Sequence, residues 1–286
     1  MKNTRRDFLR WSGNLAAGVA LAPIACKLMP KDAATKPFGL QLYTLRDDLP
    51  KDPKAILKQV ASFGYKQLEG YEGGQGIFWG MGNTGLKKYL DDLGMTMIST
   101  HCDINKDFDQ KAAEAAAIGM KYLIAPYVGP QKTLDDYKKL ADTFNQRGEV
   151  CAKNGIRFAY HNHDYSFKTQ DGQFPQDIFM TNTDAKLVDF EMDIYWVVAA
   201  GQDPHAWLKK YKDRFRLCHV KDRTKNATEA ADSCTLGEGS IDFPSIVKTA
   251  KENGMQYYIV EQEKYTGTTP LKAVEVDAAY MKKLMA

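Results

Sequence analysis

Leu217-Cys-His-Val-Lys-Asp-Arg223, followed shortly by Leu236-Gly-Glu-Gly-Ser-Ile-Asp-Phe243, is the stretch from which the fold can be read. It opens as an apolar strand and ends in the ionisable side chains His219, Lys221, Asp222 and Arg223. Strand side chains alternate between faces, so His219 and Lys221 are expected on one face and Asp222 on the other. Parallel α/β folds place their sites at the carboxyl ends of strands, and polarity rises at that end here. A single segment of this kind is commonly a strand running out into a solvated loop. The same switch from apolar to ionisable recurs on other strands of this chain, which favours a shared pocket.

Outward from this stretch, the chain from Pro37 reads as eight repeats of one strand-and-helix unit. Strands are expected at 38–43, 65–69, 95–101, 121–126, 156–161, 187–193, 216–220 and 256–261. The helix after Pro53 carries Ile56, Leu57, Val60 and Phe63 on one face, the spacing of an amphipathic helix packed on a sheet. Leu86, Tyr89, Leu90 and Leu93 mark the next; further helices are expected at 108–118, 134–153, from near Asp242, and at 271–284. Gly64, Gly94, Gly119, Gly155 and Gly254 stand where helices should stop. Strict alternation implies parallel strands with right-handed crossovers, and eight units close best as a single-domain (β/α)8 barrel over 37–286. The rival is an open doubly wound sheet. No Gly-x-Gly-x-x-Gly turn follows the first strand, so a dinucleotide site has no support.

Residues 1–36 read as a leader and short linker. Thr4-Arg-Arg-Asp-Phe-Leu-Arg10 precedes an apolar run at 15–25, a pattern that resembles a twin-arginine export signal. The run is too short to span a bilayer, which needs roughly 20 residues. The expectation is an exported, periplasmic protein with no stable membrane span. Pro23-Ile-Ala-Cys26 resembles a lipoprotein box loosely, so a lipid anchor at Cys26 is the less favoured alternative. Residues 1–26 carry the whole formal charge of +3, and the remainder is neutral. Such a chain has no electrostatic footprint for nucleic acid. Cys102, Cys151, Cys218 and Cys234 lack paired spacing, which excludes a zinc ribbon and argues against a disulfide framework.

The expected strand ends bring Glu69, His101, His161 and His163, Glu191 and Asp193, His219 and Lys221, and Glu261 and Glu263 to one mouth. Four of the five histidines fall there. Any one of them is more often a satisfied core or rim residue. Several histidines with several carboxylates together describe a divalent metal site with open positions.

Tyr160-His-Asn-His-Asp164, Phe190-Glu-Met-Asp-Ile-Tyr-Trp196 with Ala200-Gly-Gln-Asp-Pro204, His219-Val-Lys-Asp222 with Gly237-Glu-Gly-Ser-Ile-Asp242, and Val260-Glu-Gln262 carry a resemblance. In combination they resemble the xylose isomerase-like TIM barrels, the sugar phosphate isomerase/epimerase group. The resemblance implies one divalent ion (Mn, Zn, Co or Mg) held by His161, Asp193, His219 and Glu261. His163 is an equal claimant on the fifth strand. His161 stands where the epimerases would have Glu, and Trp196 where a His would follow the strand-six Asp. Both departures weaken transfer of a mechanism with two metal-bound glutamates.

An ion held in this way can chelate adjacent oxygens of a sugar and stabilise an enediolate, so that a proton next to a carbonyl becomes removable. Glu261 is the expected base with Glu191 behind it, and Lys221 an acid, an oxyanion holder or a solvated rim charge. Glu69, His101, His163 and Trp196 are expected to bind substrate. Tyr43, Phe78, Trp79 and Tyr195 are further aromatics near strand ends. The function expected is a sugar isomerase or epimerase on a keto-sugar, aldose or inosose. A lyase or dehydratase acting on a keto-sugar or keto-glycoside is the alternative within that chemistry, and a non-catalytic sugar-binding module the alternative outside it. A metal-dependent endonuclease is disfavoured by the neutral charge. Gly237-Glu-Gly239 offers backbone N–H groups for a phosphate, although a plain turn is the commoner use of such a sequence.

Overall fold

The computed structural model describes residues 36–286; the expected leader and Cys26 lie outside them. Among the described residues, eight parallel strands close into a barrel. They are β1 (Gly39–Gln41), β2 (Gln67–Tyr71), β3 (Thr96–His101), β4 (Tyr122–Ala125), β5 (Arg157–His161), β6 (Val188–Asp193) and β7 (Phe215–Val220). After a hairpin of β8 (Asp222–Arg223) and β9 (Ser233–Cys234), β10 (Tyr257–Val260) completes the ring between β7 and β1. This is the (β/α)8 barrel expected.

The helices form where local chemistry places them. Asp52 accepts the Ala55 N–H at 3.0 Å and Pro53 occupies the first turn, so α1 (Pro53–Phe63) starts there; Gly64 stops it at φ 105°, a conformation costly for other residues. Its Ile56, Leu57 and Val60 are buried against the strands. The outer layer continues with α2 (Gly82–Asp92), α3 (Phe108–Ala117) and α4 (Leu134–Lys153). Next come α5 (Pro175–Asn182), α6 (Ile194–Ala199), α7 (Pro204–Lys210), α8 (Phe243–Glu252) and α9 (Pro270–Leu284). The main core lies between helices and strands, and a smaller cluster of Tyr122, Ile124, Ala159, Leu217 and Ile259 lies on the strands apart from it.

Three departures from the sequence reading bear on the site. The first strand ends at Gln41 because the Gln41 side chain accepts the Tyr43 N–H at 3.0 Å and turns Leu42–Leu45 into a 3₁₀ helix. The helices α5, α6 and α7 are six to eight residues long, too short for a periodic pattern to stand out. The barrel strands also carry two register shifts, at Leu68/Glu69 against β3 and at Phe190/Glu191 against β7. Such irregularities re-aim side chains.

Candidate active site

Strand register assembles the site. Asp193 lies opposite His219, His161 opposite Glu191, and Gln41 opposite Glu69. The Glu261 N–H donates to the Val220 carbonyl at 3.2 Å, which sets Glu261 beside Lys221. His219 and Lys221 share a face as the alternation requires: both reach Glu261 Oε2, each at 3.2 Å. Asp222 points away and accepts the N–H groups of Gly237, Gly239 and Ile241 at 2.9, 3.1 and 3.2 Å. A Cβ on residue 239 would stand 2.2 Å from the Asp222 carboxylate, so glycine is required there. Those N–H groups are spent, and the phosphate-binding reading of Gly237-Glu-Gly239 falls with them.

Two layers of ionisable groups lie inside the barrel, joined by His219. On its Nδ1 side stand His161 Nε2 at 3.1 Å, Glu261 Oε2 at 3.2 Å and Asp193 Oδ2 at 3.7 Å, with His161 Nε2 itself 3.5 Å from Asp193 Oδ2. On its Nε2 side stand Glu69 Oε1 at 2.7 Å and Glu191 Oε2 at 3.4 Å, with His101 Nε2 at 2.8 Å from Glu191 and 3.1 Å from Glu69. Asp193 Oδ1 caps α6 by accepting the Trp196 N–H at 3.1 Å. That leaves Asp193 Oδ2 buried without a hydrogen bond.

The charges follow from this packing. Burial acts to raise the Asp193 carboxyl, but Lys221, His161 and His219 outweigh it and hold it well below the carboxylate range. Glu261 is likewise lowered against its burial, by Lys221 and then His219. Burial and then His219 push His161 down to about 4, so its imidazole is neutral. Burial followed by the Glu69 carboxylate raises Glu191 to about 7.

These groups suit a divalent ion on the Nδ1 side. A four-coordinate ion with bonds of about 2.0–2.2 Å sets its donor atoms roughly 3.4 Å apart. The donor atoms of His161, Asp193 and His219 lie 3.1 to 3.7 Å from one another, and Glu261 Oε2 adjoins this trio through His219 Nδ1 at 3.2 Å. Two imidazoles and two carboxylates, with Asp193 Oδ2 left without a hydrogen bond in the protein, form a donor set of the kind that holds such an ion.

Above this layer opens a cavity of about 390 Å³. His101, His163, Trp196 and Glu261 line it, as do Tyr43, Tyr71 and Tyr127 at the rim and Glu72, Asp103 and Glu263. No Lys or Arg is among these lining residues. His163 contributes to the wall, its ring centroid 4.9 Å from that of His161, rather than to the donor group.

Several positions differ from the sequence reading. Glu69 and Glu191, read as substrate-binding and as a reserve base, are wholly buried and do not line the cavity. Their strands carry them to the layer beneath. Lys221 is not a solvated rim charge: it is 2% exposed and sits on Glu261 and Glu263, with its ammonium 5.1 Å from the ring centres of both Tyr195 and Trp196. Phe78, Trp79 and Tyr195 are core residues, whereas Tyr43 and Trp196 reach the cavity. Glu263 received no role, although its two-residue spacing from Glu261 marks the same face. Glu72, Asp103 and Tyr127 lie in loops, where no period announces them.

A closed barrel with imidazoles and carboxylates converging at the carboxyl ends of its strands defines a (β/α)8 enzyme with a site for a divalent ion. Residues 57–284 match the xylose isomerase-like TIM barrel family, and the chain belongs to it as an enzyme of that superfamily. A solved sugar phosphate isomerase/epimerase from Parabacteroides distasonis ATCC 8503 is 31% identical, with a TM-score of 0.75 over 90% of this chain and 97% of that one. An inosose dehydratase from Clostridium beijerinckii is 32% identical over 141 residues, 44% of this chain and 46% of that protein. The chain spans about half the length of the curated relatives it matches. A zinc-bound IOLI protein superposes with a TM-score of 0.70 over 87% of this chain and 98% of that one, at 15% identity, a likeness of fold.

Proposed function

We propose that this protein is a metal-dependent sugar isomerase or epimerase that removes a proton next to the carbonyl of an unphosphorylated keto-sugar, aldose or inosose. The observation that carries this reading is the convergence of His161 Nε2, Asp193 Oδ2 and His219 Nδ1, 3.1 to 3.7 Å from one another, with Glu261 Oε2 3.2 Å from His219 Nδ1 and facing the cavity. A divalent ion there would polarise the sugar carbonyl and acidify the neighbouring C–H. Glu261 is the base: Lys221 and His219 keep it ionised, and it faces the cavity. Lys221, anchored by Glu263, holds Glu261 in place. His101, His163 and Trp196 bind the sugar from the walls, and Tyr43 offers a ring face at the rim. Four carboxylates and no Lys or Arg line the cavity, which repels a phosphate ester and suits an uncharged polyol.

A second reading is elimination: loss of the α-proton followed by departure of a β-hydroxyl as water, or of a glycosidic oxygen as an alcohol. It is favoured by His161, a neutral imidazole on β5 where an epimerase would place a second acid/base carboxylate, and by the similarity to inosose dehydratases. Incubation of purified protein and a divalent ion with keto-sugars in deuterated water tests both. Deuterium at the α-carbon with retained composition supports isomerisation or epimerisation, and deuterium with loss of water or alcohol supports elimination. Absence of exchange from every keto-sugar and inosose tried would leave the binding-module reading. We also propose, from Arg5-Arg6 and the apolar run behind it, that the chain is exported to the periplasm.

A further inference from the structure

We propose that Glu69 is a positioning residue that holds the proton of His219 on Nε2, so that Nδ1 presents its lone pair to the ion; the inference rests on the metal reading above. An imidazole can serve a metal only through an unprotonated nitrogen, and the partner of its other nitrogen decides which one that is. His161 shows the arrangement with a backbone partner. Its Nδ1 lies 3.2 Å from the Pro126 carbonyl, which can only accept, so the proton sits on Nδ1 and Nε2 faces Asp193. For His219 the equivalent partner is Glu69 Oε1, at 2.7 Å from Nε2.

Glu69 is built for that task. Its Oε1 also accepts from Gln41 Nε2 at 2.7 Å, and its Oε2 accepts the Ser99 hydroxyl at 2.6 Å. Gln41 cannot turn its amide over, because its oxygen is occupied by the Tyr43 N–H at 3.0 Å. The carboxylate is therefore surrounded by donors on β1, β3 and β7 and is completely buried. A buried carboxylate with no path to substrate, saturated by fixed donors, orients its neighbour rather than reacting.

The competing geometry is an ion on the other side of His219, among Glu69, His101, Glu191 and His219, whose donor atoms also lie close together. Those groups are hydrogen-bonded to one another at 2.7 and 2.8 Å, although Glu191 Oε1 has no partner, whereas the contacts an ion would replace on the Nδ1 side are longer, 3.1 and 3.2 Å. On the Nδ1 side, Asp193 Oδ2 has no hydrogen bond to lose.

The test uses the purified protein with 15N-labelled histidine, loaded with zinc, and reads the ring nitrogens of His219 by long-range proton–nitrogen correlation. The expected result is a proton on Nε2 and zinc on Nδ1. Chelator competition then gives zinc affinity: about tenfold weaker for Glu69→Gln and about 100-fold weaker for Glu69→Leu. The wild-type ring signals decide the matter even if Glu69→Leu fails to fold. Zinc on Nε2 of His219, or Glu69 variants that bind zinc as tightly as the parent, overturns the proposal while leaving a metal enzyme. A wild-type protein that takes up no zinc, manganese, cobalt or magnesium overturns the metal reading and this inference together.

Discussion

Replacing Glu261 by Gln separates the two duties assigned to that side chain. Glu261 Oε2 stands 3.2 Å from both His219 Nδ1 and Lys221 Nζ, so the carboxylate we propose as a donor to the ion is also the partner of a buried ammonium. The amide keeps the volume and one oxygen but removes the charge and the basicity. Loss of a positioned general base lowers turnover by about 10²–10⁴-fold, or about 3–5 kcal/mol of barrier. Loss of one charged ligand out of four should weaken metal binding as well. The assay is α-proton exchange into deuterated water, followed by NMR at saturating ion, with metal content measured in parallel. Exchange should stay depressed by at least about 100-fold when the ion is restored to stoichiometry. Full recovery at saturating ion would show that Glu261 is a ligand only. Parent-level exchange without added ion would refute both duties.

Other perturbations follow from the same contacts. In Lys221→Met the carboxylates of Glu261, Asp193 and Glu263 lose their shared cation, so thermal stability of the ion-free protein should fall, zinc should restore most of it, and turnover should drop; unchanged melting without zinc would deny the pairing. Asp277, buried on α9 with Oδ2 unpartnered, has a carboxyl raised by burial to about 7. The folded chain then holds a proton that the unfolded chain has released between about pH 4 and 7, so stability falls as pH rises through that window. Asp277→Asn should therefore gain on the order of 4 kcal/mol at pH 8 relative to pH 4, read by denaturant unfolding, and a pH-independent difference would contradict the assignment. Arg5-Arg6 replaced by Lys-Lys should keep the protein in the cytoplasm on cell fractionation, and unchanged periplasmic recovery would remove the export reading.

Much of the fold and part of the site were legible before any coordinates. Asp52-Pro53, the apolar face of α1 and Gly64 are local signals, each acting within a turn of chain, and they placed helix and strand correctly. His219, Lys221 and Asp222 could be sorted by face because alternation is a property of every extended strand. The choice between His161 and His163 was open, since both share a face. What separates them is the Pro126 carbonyl on Nδ1 and Asp193 across β6, neither of them near in sequence. Lys221 could not be told from a solvated lysine until Glu261, Glu263, Tyr195 and Trp196 were seen around it.

The amino-acid sequence by itself determined eight repeats, their parallel order, and which ionisable residues point into the barrel, because period, caps and alternation are short-range properties of the backbone. Depth was decided only by the tertiary structure. Whether an inward residue ends at the mouth, like Glu261, or one layer down, like Glu69 and Glu191, depends on the stagger of each strand against neighbours far away in sequence. The register shifts at Leu68/Glu69 and Phe190/Glu191 adjust that stagger at the strands bearing the two lower carboxylates. Closure of the barrel then turns His219 into the hinge between the layers, with one nitrogen toward each.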